Sequence, residues 1–177
     1  MSRQDSQLYT VLATPVGELL IYGDQDRASG IHFVTSTRAP EIGACWRRAP
    51  RAFAAVKEQL GEYFAGRLTT FNLPLNLDGG TPFNREVWSA LQRVPYGSTS
   101  TYSAIANEIG SPGAARAVGL ANARNPVSII VPCHRAVGCR SRLRGYAGGL
   151  GAKRYLLCHE ARFSTARSPH EEVGDDA

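Results

Sequence analysis

The chain is poor in thiols and nearly devoid of lysine. Its four cysteines, Cys45, Cys133, Cys139 and Cys158, form no CxxC pair and no framework spacing, so reduced thiols in a reducing compartment are expected. Lysine occurs only at Lys57 and Lys153, against 18 arginines; a GC-rich genome explains that bias as well as chemistry does. No run is long and apolar enough to span a bilayer, which argues against a membrane partner. The polar start, Met1-Ser2-Arg3-Gln4-Asp5-Ser6-Gln7, lacks the apolar core of a signal peptide, so a cytoplasmic protein (bacterial-type cytosol or nucleoid) is expected. Residues 1–80 offer only Cys45 and His32 as soft metal ligands, fewer than a structural zinc requires. Cys133-His134 and Cys158-His159 are adjacent pairs that match no common ligand spacing. Neither a metal nor a cofactor is expected. There is no internal repeat and no low-complexity block.

What is present suffices for a core. A chain of 177 residues with 43% apolar content fits one compact domain or two small ones. Its net charge of +5 is unevenly placed. Residues 1–83 carry 8 basic and 8 acidic side chains, residues 84–162 carry 11 and 3, and residues 163–177 carry 1 and 4. A focused basic segment suits an anionic partner such as a phosphate backbone, although a solvated basic face is the commoner meaning of charge alone.

Leu8–Leu12, Glu18–Tyr22 and Gly30–Val34 read as strands, the first two joined by the turn Thr14-Pro15-Val16-Gly17. Pro50–Gly66 reads as a helix with Phe53, Val56, Leu60 and Phe64 on its apolar face. Phe71–Leu77 alternates like a strand, demoted to an edge by Pro74. Asp78-Gly79-Gly80 is the clearest linker, which predicts domains at 1–80 and 81–163, with a disordered polar, acidic tail at 164–177. Thr81 then caps a helix with Pro82 at its first position, running to about Val94 with Phe83, Val87, Trp88 and Leu91 inward. Tyr102–Ile109 and Pro112–Ala123 read as two further helices, with Ser111 able to cap the second. Two short helices around a tight glycine turn describe a helix-turn-helix, a pattern shared by many helix pairs.

The most informative stretch is Pro132-Cys133-His134-Arg135, which follows the apolar run Val127–Val131. A thiol is a strong nucleophile only as thiolate, and a neighbouring imidazole or positive charge favours that form. Taken by type alone, Cys133 is more often an inert buried cysteine and His134 a core histidine. The surroundings extend the signal: Asn125-Pro126 before the run, Gly145-Tyr146-Ala147-Gly148-Gly149-Leu150 after it, and Pro95-Tyr96-Gly97, Thr101-Tyr102 and Ala114-Ala115-Arg116-Ala117-Val118-Gly119 upstream.

Together these motifs resemble the O6-alkylguanine-DNA alkyltransferases, also called methylated-DNA–protein-cysteine methyltransferases. The match is specific over Thr81–Arg162 and looser over Leu8–Gly80. It implies an α/β (α+β) chain: a small N-terminal RNase H-like sheet-plus-helix domain and a mostly helical C-terminal domain with a helix-turn-helix. It implies a single-turnover enzyme that repairs DNA by moving the alkyl group of O6-alkylguanine, and less so of O4-alkylthymine, irreversibly to its own Cys133. No cofactor is implied, because the cysteine is the acceptor. The implied partner is double-stranded DNA containing O6-alkylguanine, with no obligate protein partner, so a monomer is expected.

The resemblance also implies roles. Cys133 is the nucleophile, His134 the base acting through a water, and Glu160 the carboxylate that fixes the imidazole tautomer. Tyr102 lies by the target phosphate and base and helps to protonate guanine at N3. Asn125 ties the segment after the recognition helix to the active-site turn. Arg116 enters the base stack from a helix in the minor groove, while Ala114, Ala115, Ala117 and Gly119 let the backbone come close to DNA. Tyr146, Ala147 and Gly148 form one wall of the base pocket and Val131-Pro132 another, with the carbonyls of Cys133 and Ala136 accepting from the exocyclic amine. Read without the family, Glu160 is a helix-surface carboxylate, Arg116 an exposed helix arginine, Tyr102 a packed turn aromatic and Asn125 a turn residue before proline.

One stretch departs from the family. Gly138-Cys139-Arg140-Ser141-Arg142-Leu143-Arg144 carries three arginines and an extra thiol where relatives have a small polar turn. Added phosphate contacts by Arg140, Arg142 and Arg144 are expected, and Cys139 is either a reactive thiol near positive charge or an inconsequential surface cysteine. Two rival classes remain distinguishable. A cysteine hydrolase needs an oxyanion hole and a separated histidine and turns over repeatedly. A non-catalytic damage binder of the alkyltransferase-like kind lacks the nucleophile, which is present here as Cys133.

Overall fold

The computed structural model describes residues 7–25 and 27–165. Among them no helix is long and apolar enough to cross a membrane. Strands β1 (Leu8–Thr14), β2 (Gly17–Gly23) and β3 (Ala28–Phe33) form an antiparallel meander in which Thr14 pairs with Gly17 across the first turn. A two-residue strand, β4 (Arg47–Arg48), adds in parallel to β1, giving the order β3-β2-β1-β4. Helix α1 (Ala54–Phe64) packs Val56, Leu60 and Tyr63 into the core. It starts later than Pro50, because residues 51–53 form a turn ending at Phe53, which supplies no side-chain cap.

Phe71–Leu77 does not become a strand. It contributes one bridge, Ala28 to Leu75, with Ala28 N donating to Pro74 O and Asn76 N to Ala28 O. The remaining edge of β3 is taken by the second half of the chain: Ile31 N donates to Pro126 O at 2.8 Å and Ser128 N to Ile31 O at 2.9 Å. A strand edge left open is a liability, and here residues 74–76 and 126–128, one segment from each half of the chain, share it. The segment before the reactive thiol is thereby fixed to the sheet.

Helix α2 (Pro82–Arg93) begins as expected: the Thr81 hydroxyl accepts from Asn84 N and Pro82 occupies the first turn, where its missing N–H costs nothing. Helix α3 (Tyr102–Glu108) is capped by Thr101, whose hydroxyl accepts from Ala104 N. Helix α4 spans Ala115–Ala123, three residues shorter than expected. Gly113 lies between, at φ +86°. That left-handed conformation cannot continue a helix, so Pro112 starts only a turn and the Ser111 side chain caps nothing. The Trp88 indole donates to Ala121 O at 2.9 Å and ties α2 to α4.

A two-residue strand β5 (Ser100–Thr101) pairs in parallel with β6 (Ala136–Val137), which follows a 3-10 turn at Cys133–Arg135. The last helix, α5 (Gly149–Thr165), runs beneath that turn. Ser164 and Thr165 belong to α5, so the tail does not begin at 164; the rest of the expected tail, 166–177, lies outside the described residues. One continuous core joins the two halves: Leu19, Ile21, Ile31 and Phe33 of the sheet pack with Leu60 and Tyr63 of α1, Val87 and Leu91 of α2, and Val127, Ile129 and Val131.

Candidate active site

The site is built on the segment Asn125–Arg135. The Asn125 side chain bridges it: its Nδ2 donates to Val131 O at 2.8 Å and its Oδ1 accepts from Val127 N at 3.0 Å. Within this loop Ile129 sits at φ 74°, a conformation β-branched residues avoid; such strain persists only where packing over-determines it. Ile129 is fully buried, and its backbone N–H and that of Cys133 favour the ionised form of the Cys133 thiol.

Cys133 is 4% exposed and is the only buried cysteine of the four. Burial pushes its thiol above the ordinary range, while Asn125, the Lys153 charge and the two backbone N–H groups oppose that shift. The resting group therefore holds its proton and needs a base. His134 stands next to it, fully buried, with Nε2 2.7 Å from Glu160 Oε1. Burial lowers the imidazole's proton affinity more than Glu160 restores it. Among the described residues Nδ1 is buried with no hydrogen-bond partner. A neutral ring with Nε2–H held by a carboxylate leaves Nδ1 as the acceptor.

Glu160 collects five donors. Oε1 accepts from Tyr63 Oη at 2.8 Å, His134 Nε2 and Arg135 Nη2 at 3.0 Å; Oε2 accepts from Arg135 Nε at 2.9 Å and Gly97 N at 3.2 Å. Burial alone would raise its proton affinity, but the bonds and charges of His134 and Arg135 overcome this and hold the carboxyl down at about 2. Arg135 also donates to Val94 O at 2.7 Å, satisfying the end of α2. Tyr63, Arg135 and Gly97 were not foreseen as partners of Glu160.

A cavity of about 540 Å³ opens over Cys133. Tyr146, Ala147 and Gly148 line it, together with Asn125, Asn122 and Ser128. Gly148 is required by packing: a Cβ there would come within 2.6 Å of the Phe33 ring. Thr35–Arg38, which follow β3, also line it, a contribution of the N-terminal half that no motif signalled.

Val131, Pro132 and Ala136 do not line this cavity, contrary to expectation. Val131 points into the core, and Pro132 faces a second cavity of about 170 Å³ with Thr69–Phe71 and Tyr96. Ala136 is buried, with its carbonyl accepting from Lys153 Nζ, and the Cys133 carbonyl accepts from Ala136 N.

Tyr102 opens α3 half-buried, its phenol held above the ordinary range by burial and by the charge of Cys133, against which Arg144 acts. Arg116, at the second position of α4, is exposed and makes no hydrogen bond or ion pair to a described residue. Ala117 is exposed beside it, while Ala114, Ala115 and Gly119 are half-covered. Arg140, Arg142 and Arg144 are exposed on the loop after β6, likewise without a carboxylate partner among the described residues. Arg140 and Ser141 both lie at φ 56°. Lys153 Nζ clamps the loop's base by donating to Ala136 O at 2.6 Å and Arg144 O at 3.2 Å.

Comparison with known proteins agrees with this arrangement. Residues 82–162 match the model described as 6-O-methylguanine DNA methyltransferase, DNA binding domain, and residues 7–77 match its ribonuclease-like domain. A methylated-DNA–protein-cysteine methyltransferase of Mycolicibacterium paratuberculosis is 49% identical over 89% of this chain and 94% of its own length. One from Methanosarcina acetivorans is 44% identical over 84% and 95%. The crystal structure of Mycobacterium tuberculosis OGT in complex with DNA superposes with a TM-score of 0.83 at 44% identity, covering 88% of this chain and 94% of that one. The O6-methylguanine-DNA methyltransferase of Pyrococcus kodakaraensis gives 0.61 at 26% identity, covering 87% and 98%. With both halves matched in order, the chain belongs to the 6-O-methylguanine DNA methyltransferase family.

Proposed function

We propose that this protein repairs DNA by direct reversal, taking the alkyl group of O6-alkylguanine onto Cys133 as a methylated-DNA–protein-cysteine methyltransferase. The observation that carries the reading is a thiol at the floor of a cavity, beside an imidazole whose far nitrogen is held by a five-donor carboxylate. His134 takes the thiol proton at Nδ1, through a water. The sulfur then forms a bond to the alkyl carbon as the carbon–O6 bond breaks, and the electron pair stays on the guanine oxygen. Tyr102 supplies a proton to N3, so neutral guanine departs. The thioether product has no leaving group for water to displace, so each molecule acts once.

A lesion inside a duplex cannot reach a buried sulfur. The nucleotide is extruded, at a cost of roughly a few kcal/mol. Arg116, on an exposed α4 face flanked by small residues, fills the space left in the stack. The guanidinium groups of Arg140, Arg142 and Arg144, which have no carboxylate partner among the described residues, lie on a loop joined through β6 to β5, directly before Tyr102 and α3. They add phosphate contacts on the same side as the helix-turn-helix. O4-alkylthymine is the lesser substrate.

Titration tests the reading. Increasing protein is added to a fixed amount of duplex bearing O6-methylguanine, and repaired lesions are counted. Repair that stops at one lesion per protein molecule is expected; continued turnover points instead to a hydrolase.

A further inference from the structure

We propose that Tyr63 is a positioning residue for the transfer reaction: its hydroxyl, supplied by the N-terminal half, holds Glu160 so that His134 keeps one orientation and one tautomer. The inference rests on the reading of Glu160 and His134 given above and extends it across the chain.

Tyr63 lies on α1, 97 positions before Glu160, and is fully buried. Its phenol donates at 2.8 Å to Oε1, the same oxygen that faces His134 Nε2. Among the described residues every other donor to this carboxylate comes from the C-terminal half, namely Gly97, His134 and Arg135. The phenol cannot swing away. Its ring packs against Phe64, Phe71, Tyr96 and His159 at centroid separations of 5.2, 5.4, 6.0 and 5.3 Å. The backbone behind it is pinned as well, because Tyr63 O lies 2.8 Å from His159 Nε2, one residue before Glu160 on α5. Two adjacent α5 residues thus clasp one tyrosine, one by its hydroxyl and one by its carbonyl.

Geometry gives this contact a chemical consequence. Oε1 divides its negative charge among Tyr63, His134 and Arg135. Each donor it keeps weakens its pull on the imidazolium, so the phenol favours the neutral His134 that can accept a proton. The other titratable or charged groups around this carboxylate are Tyr96 after α2, Cys133 and Arg135 on the turn, Tyr146 on the loop, and Lys153 and His159 on α5.

The test is Tyr63→Phe, which keeps the ring and removes the hydroxyl. Single-turnover methyl transfer from O6-methylguanine duplex is measured across pH, alongside binding to undamaged duplex. The expected result is a transfer rate about tenfold lower near neutrality, the size of one buried hydrogen bond to a charged group. The acid limb of the profile should move to higher pH, because His134 holds its proton longer, and DNA affinity should be unchanged. In a His134→Gln background the same substitution should have no further effect on rate. A superimposable rate and profile, or effects that multiply in the double variant, would overturn the inference. Should Tyr63→Phe not fold, 3-fluorotyrosine placed at position 63 keeps the ring and donates more strongly. It should move the acid limb to lower pH, and an unmoved limb contradicts the proposal. A parent protein that transfers no methyl sinks the proposed function instead, so the two failures are distinct.

Discussion

Lys153 and Ala136 are joined by a 2.6 Å hydrogen bond from a fully buried ammonium to a backbone carbonyl. The same Nζ donates to Arg144 O at 3.2 Å, so one cation closes the loop that runs over the site. Its charge also favours the Cys133 thiolate. Lys153→Met should therefore raise the pKa of Cys133, moving the pH dependence of iodoacetamide alkylation to higher pH. It should also cost about 1–3 kcal/mol of stability through the carbonyls left without a donor. Alkylation curves that coincide with those of the parent would remove Lys153 from the site's electrostatics.

Glu160 should dominate acid unfolding. Its folded carboxyl titrates at about 2 against an ordinary 4.5. A depressed folded value means stabilisation fully present above the unfolded pKa and lost as pH falls from about 4.5 toward 2. His134 acts in the same direction, since burial disfavours its imidazolium while the unfolded chain takes up the proton freely. Denaturant unfolding followed from neutral to strongly acid pH should show stability falling by a few kcal/mol. In Glu160→Gln, already less stable at neutrality, the part of that fall between pH 4.5 and 2 should be largely absent. An equally steep loss there in the variant would mean that other carboxylates control acid stability.

Arg116→Ala should separate DNA handling from chemistry. The side chain is exposed and unpaired among the described residues, so folding stability should change by no more than about 0.5 kcal/mol. Transfer from duplex should fall at least about tenfold, consistent with a stack left unfilled by a costly extrusion. Transfer from the free base O6-methylguanine should be unaffected. Equal losses on both substrates would place Arg116 in folding or in the pocket rather than in the duplex.

The loop arginines give a salt signature. Replacing Arg140, Arg142 and Arg144 together with serine should lower the slope of log affinity against log salt by roughly two to three for undamaged duplex. Binding isotherms at several salt concentrations measure it. An unchanged slope would mean that these guanidinium groups stay solvated in the complex.

How far such features are legible in a sequence depends on how local they are. Thr81-Pro82 announces the start of α2 because a cap and its N–H partner lie three residues apart. The β1–β2 hairpin is readable for the same reason. Cys133 and His134 are adjacent, so their motif carries them. Tyr63 is invisible at this level: it sits on an apolar helix face, and its partner lies 97 residues away. Phe71–Leu77 misleads, because alternation reports half-burial, whereas Ile31 spends its ladder bonds on Pro126 and Ser128. Strands of two residues, such as β4, β5 and β6, are too short to show a period. Lys153 left a faint trace, as one of only two lysines in an arginine-rich chain. A compact ammonium can be buried against two carbonyls where a planar guanidinium needs a wider slot.

The most direct measurement is intact mass followed by peptide mapping after the protein is mixed with excess duplex carrying O6-methylguanine. One added CH2 per molecule, located on the peptide holding Cys133 and absent in Cys133→Ser, which still binds the duplex, is the expected result. Loss of the lesion with Cys133 unmodified, or a methyl group found on Cys139 or another residue, would contradict it.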